Sequence, residues 1–175
     1  HQAENFLAAA TAASVFGVGA DEVAEVAAEL RAPVHRGRQL TIGNNITLVD
    51  DSYNSSPLAV RRMLELLAQA PGRRVAVLGE MYELGHLSVE AHRQAGCEAA
   101  SCCDVLVAVG AADARTLIEA ARDHGMARTS TFLVESAERA AEVLETVLES
   151  GDVVLLKGSR GVGLDRTVAA IGGVA

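Results

Sequence analysis

The hydrophobic pattern changes its period once along the chain. From Asn5 to Val18 the string NFLAAATAASVFGV is alanine-rich and almost wholly apolar, closed by Gly17 and Gly19. This predicts a buried helix. DEVAEVAAEL follows from Asp21, with acids in its first turn and Val23, Val26, Ala27 and Leu30 on one face. That is a second helix, and Pro33 ends the hairpin. After a short polar stretch, HRGRQ, the β-branched runs NITLVD, RVAVLG, DVLVAVG, STFLV and DVVLLKG alternate with helical patterns of about a dozen residues. Five strands that are apolar throughout, each followed by an amphipathic helix, indicate a parallel sheet covered on both faces. The expected fold is α/β: a Rossmann-like, doubly wound, mainly parallel sheet over residues 38–175, preceded by a helical hairpin and hinge over residues 1–37. Right-handed crossovers follow from strand twist.

Composition narrows the possible roles. The 175 residues suffice for one domain, or one domain with a small appendage, and half of them are hydrophobic. The net charge is -8 and no stripe of Lys and Arg tracks a phosphate backbone, which argues against long nucleic acid as a partner. Cys97, Cys102 and Cys103 are odd in number and lie in or beside one expected helix, so a disulfide framework is not expected and a reducing cytoplasm is the simpler setting. No apolar segment approaches the roughly 20 residues of a membrane helix, and HQAENFLAAA lacks a basic leader region. A cytoplasmic protein without membrane insertion is expected. The chain opens without methionine in what reads as the first turn of a helix, which suggests part of something longer.

In doubly wound sheets ligands bind where strands deliver their carboxyl ends, so the strand-to-helix loops carry the candidate chemistry. DDSYNSSP has more polar groups than a helix start requires. Ser55 or Ser56 can cap, Pro57 suits the first turn, and Asp50 and Asp51 can favour the dipole. A carboxylate at a strand end can equally accept the hydroxyls of a ribose. GEMYELG, Gly79 to Gly85, is longer than the connection needs, and reads either as a glycine-bounded loop with a solvated acid pair or as a substrate wall. His86 and His92 are six apart, off the spacing of one helical face, so no metal site is assigned there. KGSRGVG, Lys157 to Gly163, packs a lysine, a serine and an arginine among glycines before a helix. Such a loop makes an anion cradle, or a basic turn in an acidic protein, and its lysine is misplaced for a Walker A loop. The arginines of HRGR serve a hinge either as solvated charges or as one guanidinium turned to a nucleotide.

The set HQAEN, the Gly37-Arg38 step, LVDDSYNSSP, GEMYELG with His92 downstream, and VLLKGSRG resembles the C-terminal part of the Mur ligases, in order and spacing, over essentially the whole chain. DDSYN and GEMYELG point to the branch that adds D-Ala-D-Ala to UDP-MurNAc-tripeptide in peptidoglycan synthesis. The resemblance implies a three-domain, ATP-dependent amide ligase, with this chain supplying the last helices of the central domain and all of the third. In that family ATP phosphorylates the peptide carboxylate, the amine of the dipeptide attacks the acyl phosphate, and Mg2+ bridges the phosphates.

Carried over residue by residue, Asn5 matches the asparagine that touches adenine, and Arg38 the arginine near the nucleotide, with Arg36 its rival because HRGR permits two alignments. Asp51 and its neighbour Asp50 match the ribose acid, and Tyr53 and Asn54 line the same edge. Met81 with its loop, Lys157, Ser159 and Arg160 fall where related ligases hold the incoming amino acid. Arg160 suits the free carboxylate of D-Ala-D-Ala. No residue is matched to a catalytic role or to a metal. The string G-x-x-G-K-[ST], the carbamylated-lysine region and a UDP-sugar domain are absent from these residues, so the chain alone is expected to be an inactive monomer. Two other readings remain: a noncatalytic nucleotide- or anion-binding module, and another ligase of the Mur and folylpolyglutamate superfamily.

Overall fold

Successive residues of the central strands point to opposite helical layers, and this alternation builds the molecule. In the computed structural model, which describes residues 2–31 and 33–172, β1 (Arg38–Ile42), β2 (Ile46–Asp51), β3 (Arg74–Gly79), β4 (Val105–Val109), β5 (Thr131–Val134) and β6 (Val153–Lys157) form one sheet in the order β1-β2-β6-β3-β4-β5. All neighbours are parallel except β1 and β2. Val49, Ala76, Leu78, Leu106, Ala108 and Leu155 face one core with α3 (Pro57–Ala68), α4 (Ser88–Cys102) and α5 (Ala112–Asp123). Leu48, Val75, Val77, Val107, Val154 and Leu156 face the other, with α6 (Ala137–Val147) and α7 (Leu164–Ile171). Strands buried on both faces must be apolar at every position, which is why these runs do not alternate in sequence.

The chain divides into two compact units, His1–Ala32 and Pro33–Ala175. The first holds α1 (Gln2–Val15) and α2 (Ala20–Glu29), with Glu22 accepting the Gly19 amide at 2.8 Å to close the start of α2. The expectation of a buried first helix is corrected here: Leu7 is 62% and Phe16 88% exposed. Two helices alone do not enclose an apolar face. No described helix is long and apolar enough to cross a membrane.

The sheet has one strand more than expected. RQLTI forms β1, an edge strand antiparallel to β2, joined through Gly43–Asn45, where Asn44 and Asn45 both take positive φ. Leu40 and Ile42 pack on the second core while Thr41 between them is exposed. This direction matters for the site, because β1 starts beside the end of β2, with Arg38 opposite Asp50.

The three cysteines are free thiols. Burial pushes the Cys103 thiol up to about 12 and raises that of Cys102 as well, so neither ionises readily at neutral pH. Helices α4 and α5 approach closely at Gly96, where a methyl group would lie 2.2 Å from the Leu117 carbonyl oxygen. Gly96→Ala is expected to force the helices apart and cost about 2 kcal/mol or more, a value typical of overpacking. A lowered urea midpoint with an unchanged slope is the readout.

Candidate functional site

The sheet's carboxyl edge is organised by a lysine on a central strand. Lys157 ends β6 between Asp51 of β2 and Leu78 of β3. Its ammonium, with 3% of the side chain exposed, donates to Asp51 Oδ2 at 2.6 Å and to the Asn54 carbonyl at 3.0 Å. A buried ammonium needs both a counter-charge and hydrogen bonds. Here it receives them from the first residues after β2, and so sets the course of DDSYNSSP. Asp51 Oδ1 accepts no bond among the described residues.

Asp50 is used differently. It is 2% exposed, and its oxygens accept from the Ser52 amide at 3.2 Å, the Ser52 hydroxyl at 2.6 Å and His35 Nδ1 at 2.7 Å. The His35 carbonyl also accepts the Tyr53 amide at 3.1 Å. His35 has φ 62, unusual for a residue with a Cβ. The next residue, Arg36, lays its guanidinium over the Tyr53 ring at 4.1 Å, and Arg160 lies 5.6 Å from the same ring. HRGR is therefore tied to the site loop, and Arg36 reaches Tyr53 while Arg38 stands exposed opposite Asp50.

GEMYELG is held from both sides. Glu80 Oε1 accepts the amides of Ala111, Asp113 and Ala114 at 2.8, 3.2 and 3.2 Å, capping α5 from another loop where its charge opposes the helix dipole favourably. His92, fully buried, accepts the Met81 amide on Nε2 at 2.8 Å and donates from Nδ1 to the Ser88 carbonyl at 2.8 Å. That pattern fixes the neutral Nδ1–H tautomer. Ser159 donates its amide to the Glu80 carbonyl at 3.1 Å and accepts the Tyr82 amide on Oγ at 2.8 Å. Gly79 and Gly158 allow the two loops to leave adjacent strands together, since a Cβ on Gly79 would sit 3.1 Å from the Gly158 Cα.

The loops enclose a cleft of about 510 Å³ lined by Tyr53 to Ser56, Tyr82 to Leu84 and Ser159 to Gly161. Of the expected residues, Tyr53, Asn54, Ser159 and Arg160 line it; Asp50, Asp51, Met81 and Lys157 do not. Three of the residues outside the lining are held by the interior. Asp50 has its oxygens turned to His35 and Ser52, leaving it a support for the loop. Met81, 1% exposed, belongs to the core, so Tyr82, Glu83 and Leu84 make the wall instead. Lys157 gives its ammonium to Asp51 and Asn54 and lies outside the cleft lining. Asn5 lies exposed on α1 in the first unit. Burial, with the Glu80 carboxylate adding to it, holds the Tyr82 phenol above its ordinary range, so it remains a neutral donor. The expected serine cap on α3 is also absent: Ser56 makes no side-chain bond to the first turn, and the buried Ser55 hydroxyl has no partner among the described residues. The length of GEMYELG signalled a wall, but nothing in its residue types told Met81 from its neighbours.

A family model described as "Mur ligase, glutamate ligase domain" matches residues 35–160, most of the chain. The chain belongs to the Mur ligase family. It is 34% identical to the UDP-N-acetylmuramoyl-tripeptide--D-alanyl-D-alanine ligase of Mycobacterium tuberculosis, over 98% of this chain and 38% of that protein. MurF of Acinetobacter baumannii superposes with a TM-score of 0.81 at 26% identity, over 95% of this chain and 36% of that one. MurF of Thermotoga maritima, solved in complex with ADP, gives a TM-score of 0.70 at 29% identity over 83% and 32%. The chain thus spans about 38% of the length of the Mur ligases it matches. Its α/β fold, with a mostly parallel six-strand sheet, agrees with theirs.

Lys157→Ala would leave the Asp51 carboxylate buried without a counter-charge, at a cost of about 3–5 kcal/mol. Replacing both partners, Lys157→Met with Asp51→Leu, is expected to cost less than the single change. Denaturant unfolding of the two variants tests this order.

Proposed function

We propose that the chain forms the C-terminal part of an ATP-dependent ligase that joins D-Ala-D-Ala to UDP-MurNAc-tripeptide through an acyl phosphate. The observation that carries this reading is the cleft itself, in which DDSYNSSP, GEMYELG and KGSRG converge at the carboxyl edge of the sheet. The names of the similar ligases agree with it. One side is the nucleotide edge: Tyr53 and Asn54 line it, Arg36 and Arg38 flank it, and Asp51 Oδ1 is an acceptor left for a ribose hydroxyl. Asn5 belongs to this set by its match to the family's adenine asparagine alone. The other side is the dipeptide edge, where Arg160 offers an exposed guanidinium and Ser159 holds the Tyr82 wall.

Among the described residues no group of three or more His, Cys, Asp or Glu side chains is arranged to hold a metal ion. The reading assigns the Mg2+ of the family chemistry to the rest of the ligase. The chain's part in the reaction is positioning: it holds the dipeptide against the acyl phosphate and excludes water from it, which is a principal source of rate in such ligations. The reading includes a cytoplasmic, monomeric ligase.

The complete ligase is expected to release ADP and phosphate only when UDP-MurNAc-tripeptide and D-Ala-D-Ala are both present. Turnover with glutamate in place of the dipeptide would overturn the assignment. Asp51→Asn should raise KM for ATP more than KM for the dipeptide, and Arg160→Ala should do the reverse. Each loses a charged hydrogen bond of about 1.5–3 kcal/mol, equivalent to tenfold or more.

A further inference from the structure

We propose that His35 is a positioning residue for the nucleotide edge: it clasps the segment before β1 to the end of β2 and thereby holds the Tyr53 ring against Arg36. The inference rests on the ligase reading above. The Gly37-Arg38 step carries the family resemblance, and the histidine two residues before that glycine has no part in it.

Three donors among the described residues reach the buried Asp50 carboxylate. The Ser52 amide at 3.2 Å and the Ser52 hydroxyl at 2.6 Å come from the same loop and turn the chain upon itself. His35 Nδ1, at 2.7 Å, comes from 15 residues earlier and ties a second segment to the strand end. A carboxylate only accepts, so Nδ1 carries the proton. The His35 carbonyl then accepts the Tyr53 amide at 3.1 Å. Side chain and backbone of one residue therefore hold both ends of the turn from Asp50 to Tyr53. Lys157 anchors the alternate residues, Asp51 and Asn54, from the sheet.

This clasp is kept in an unfavourable backbone conformation. His35 has φ 62 and Gly37 φ 73, so the segment enters the left-handed region on both sides of Arg36. Glycine adopts that region freely, whereas a histidine does so against its Cβ. Such strain persists where the surroundings over-determine it, and it gathers at ligand-binding segments. Here the two turns set the Arg36 guanidinium 4.1 Å from the centre of the Tyr53 ring, which lines the cleft. Tyr53 is 38% exposed and Asn54 lines the cleft beside it. The face they offer a nucleotide depends on the tilt that His35 sets.

The test compares wild type, His35→Gly and His35→Asn in the complete ligase. Glycine keeps the left-handed backbone and removes the imidazole. Asparagine also tolerates that conformation, and its Nδ2, like the histidine Nδ1, is bonded directly to Cγ, so it can return the hydrogen bond to Asp50. ADP affinity is measured by calorimetry, a readout independent of which acceptor is used; wild-type turnover with UDP-MurNAc-tripeptide and D-Ala-D-Ala tests the ligase reading separately. His35→Gly is expected to weaken ADP binding about tenfold and to raise KM for ATP to match, with KM for the acceptor within about twofold of wild type. His35→Asn is expected to recover most of the lost affinity. Unchanged ADP affinity in His35→Gly overturns the proposal. So does an equal loss toward ATP and the acceptor, which would make His35 a general support of the loop. An asparagine variant no better than the glycine one overturns it as well, because the bond to Asp50 would then not be what positions the ring.

Discussion

A lysine on the central strand of a doubly wound sheet has no route to water along the sheet, and Lys157 meets this constraint by drawing the end of β2 onto itself. The ion pair with Asp51 joins residues directly across the β2–β6 ladder, and the bond to the Asn54 carbonyl bends the following chain back over the strand end. A buried ion pair of this kind adds little net stability compared with apolar packing, but it is costly to break. Its effect is on geometry. With residues 51 and 54 anchored, the intervening Ser52 and Tyr53 must turn, and α3 must begin soon afterwards at Pro57.

The rest of the edge is assembled by the same means, polar groups consumed in pairs to leave a chosen few unpaired. Asp50 is occupied by His35 and Ser52, Glu80 by three amides of α5, and His92 by the Met81 amide. These contacts hold three loops and the segment before β1. The cleft is lined by Tyr53 to Ser56, the Tyr82–Leu84 wall, and Ser159 to Gly161. An acidic chain that spends its buried carboxylates internally can still present an exposed arginine at the cleft, here Arg160 beside Glu83.

Periodicity in the sequence was enough to read the doubly wound sheet, its five apolar strands and its helices, because strands buried on both faces and amphipathic helices leave opposite patterns. β1 escaped that reading. RQLTI is short, polar at alternate positions and placed at an edge, where one face and one hydrogen-bonding side meet water, so it resembles a loop in composition. The signal that could have found it is GNN between RQLTI and ITLVD, a hairpin turn in which two asparagines supply positive φ. The first helix was misjudged for the converse reason: an apolar run reports a preference for burial, and not whether a partner surface is present.

The site residues divide along the same line. The strings that carry the family resemblance lie on the loops that line the cleft, but a motif does not say which of its members face inward. In LVDDSYNSSP, residues Asp50, Asp51 and Ser52 are buried, Tyr53 and Asn54 emerge, Ser55 is buried again and Ser56 emerges. Carboxylates and lysines in such a string invite assignment as ligand contacts, and their sequence does not say that Asp50 and Lys157 also satisfy other buried groups.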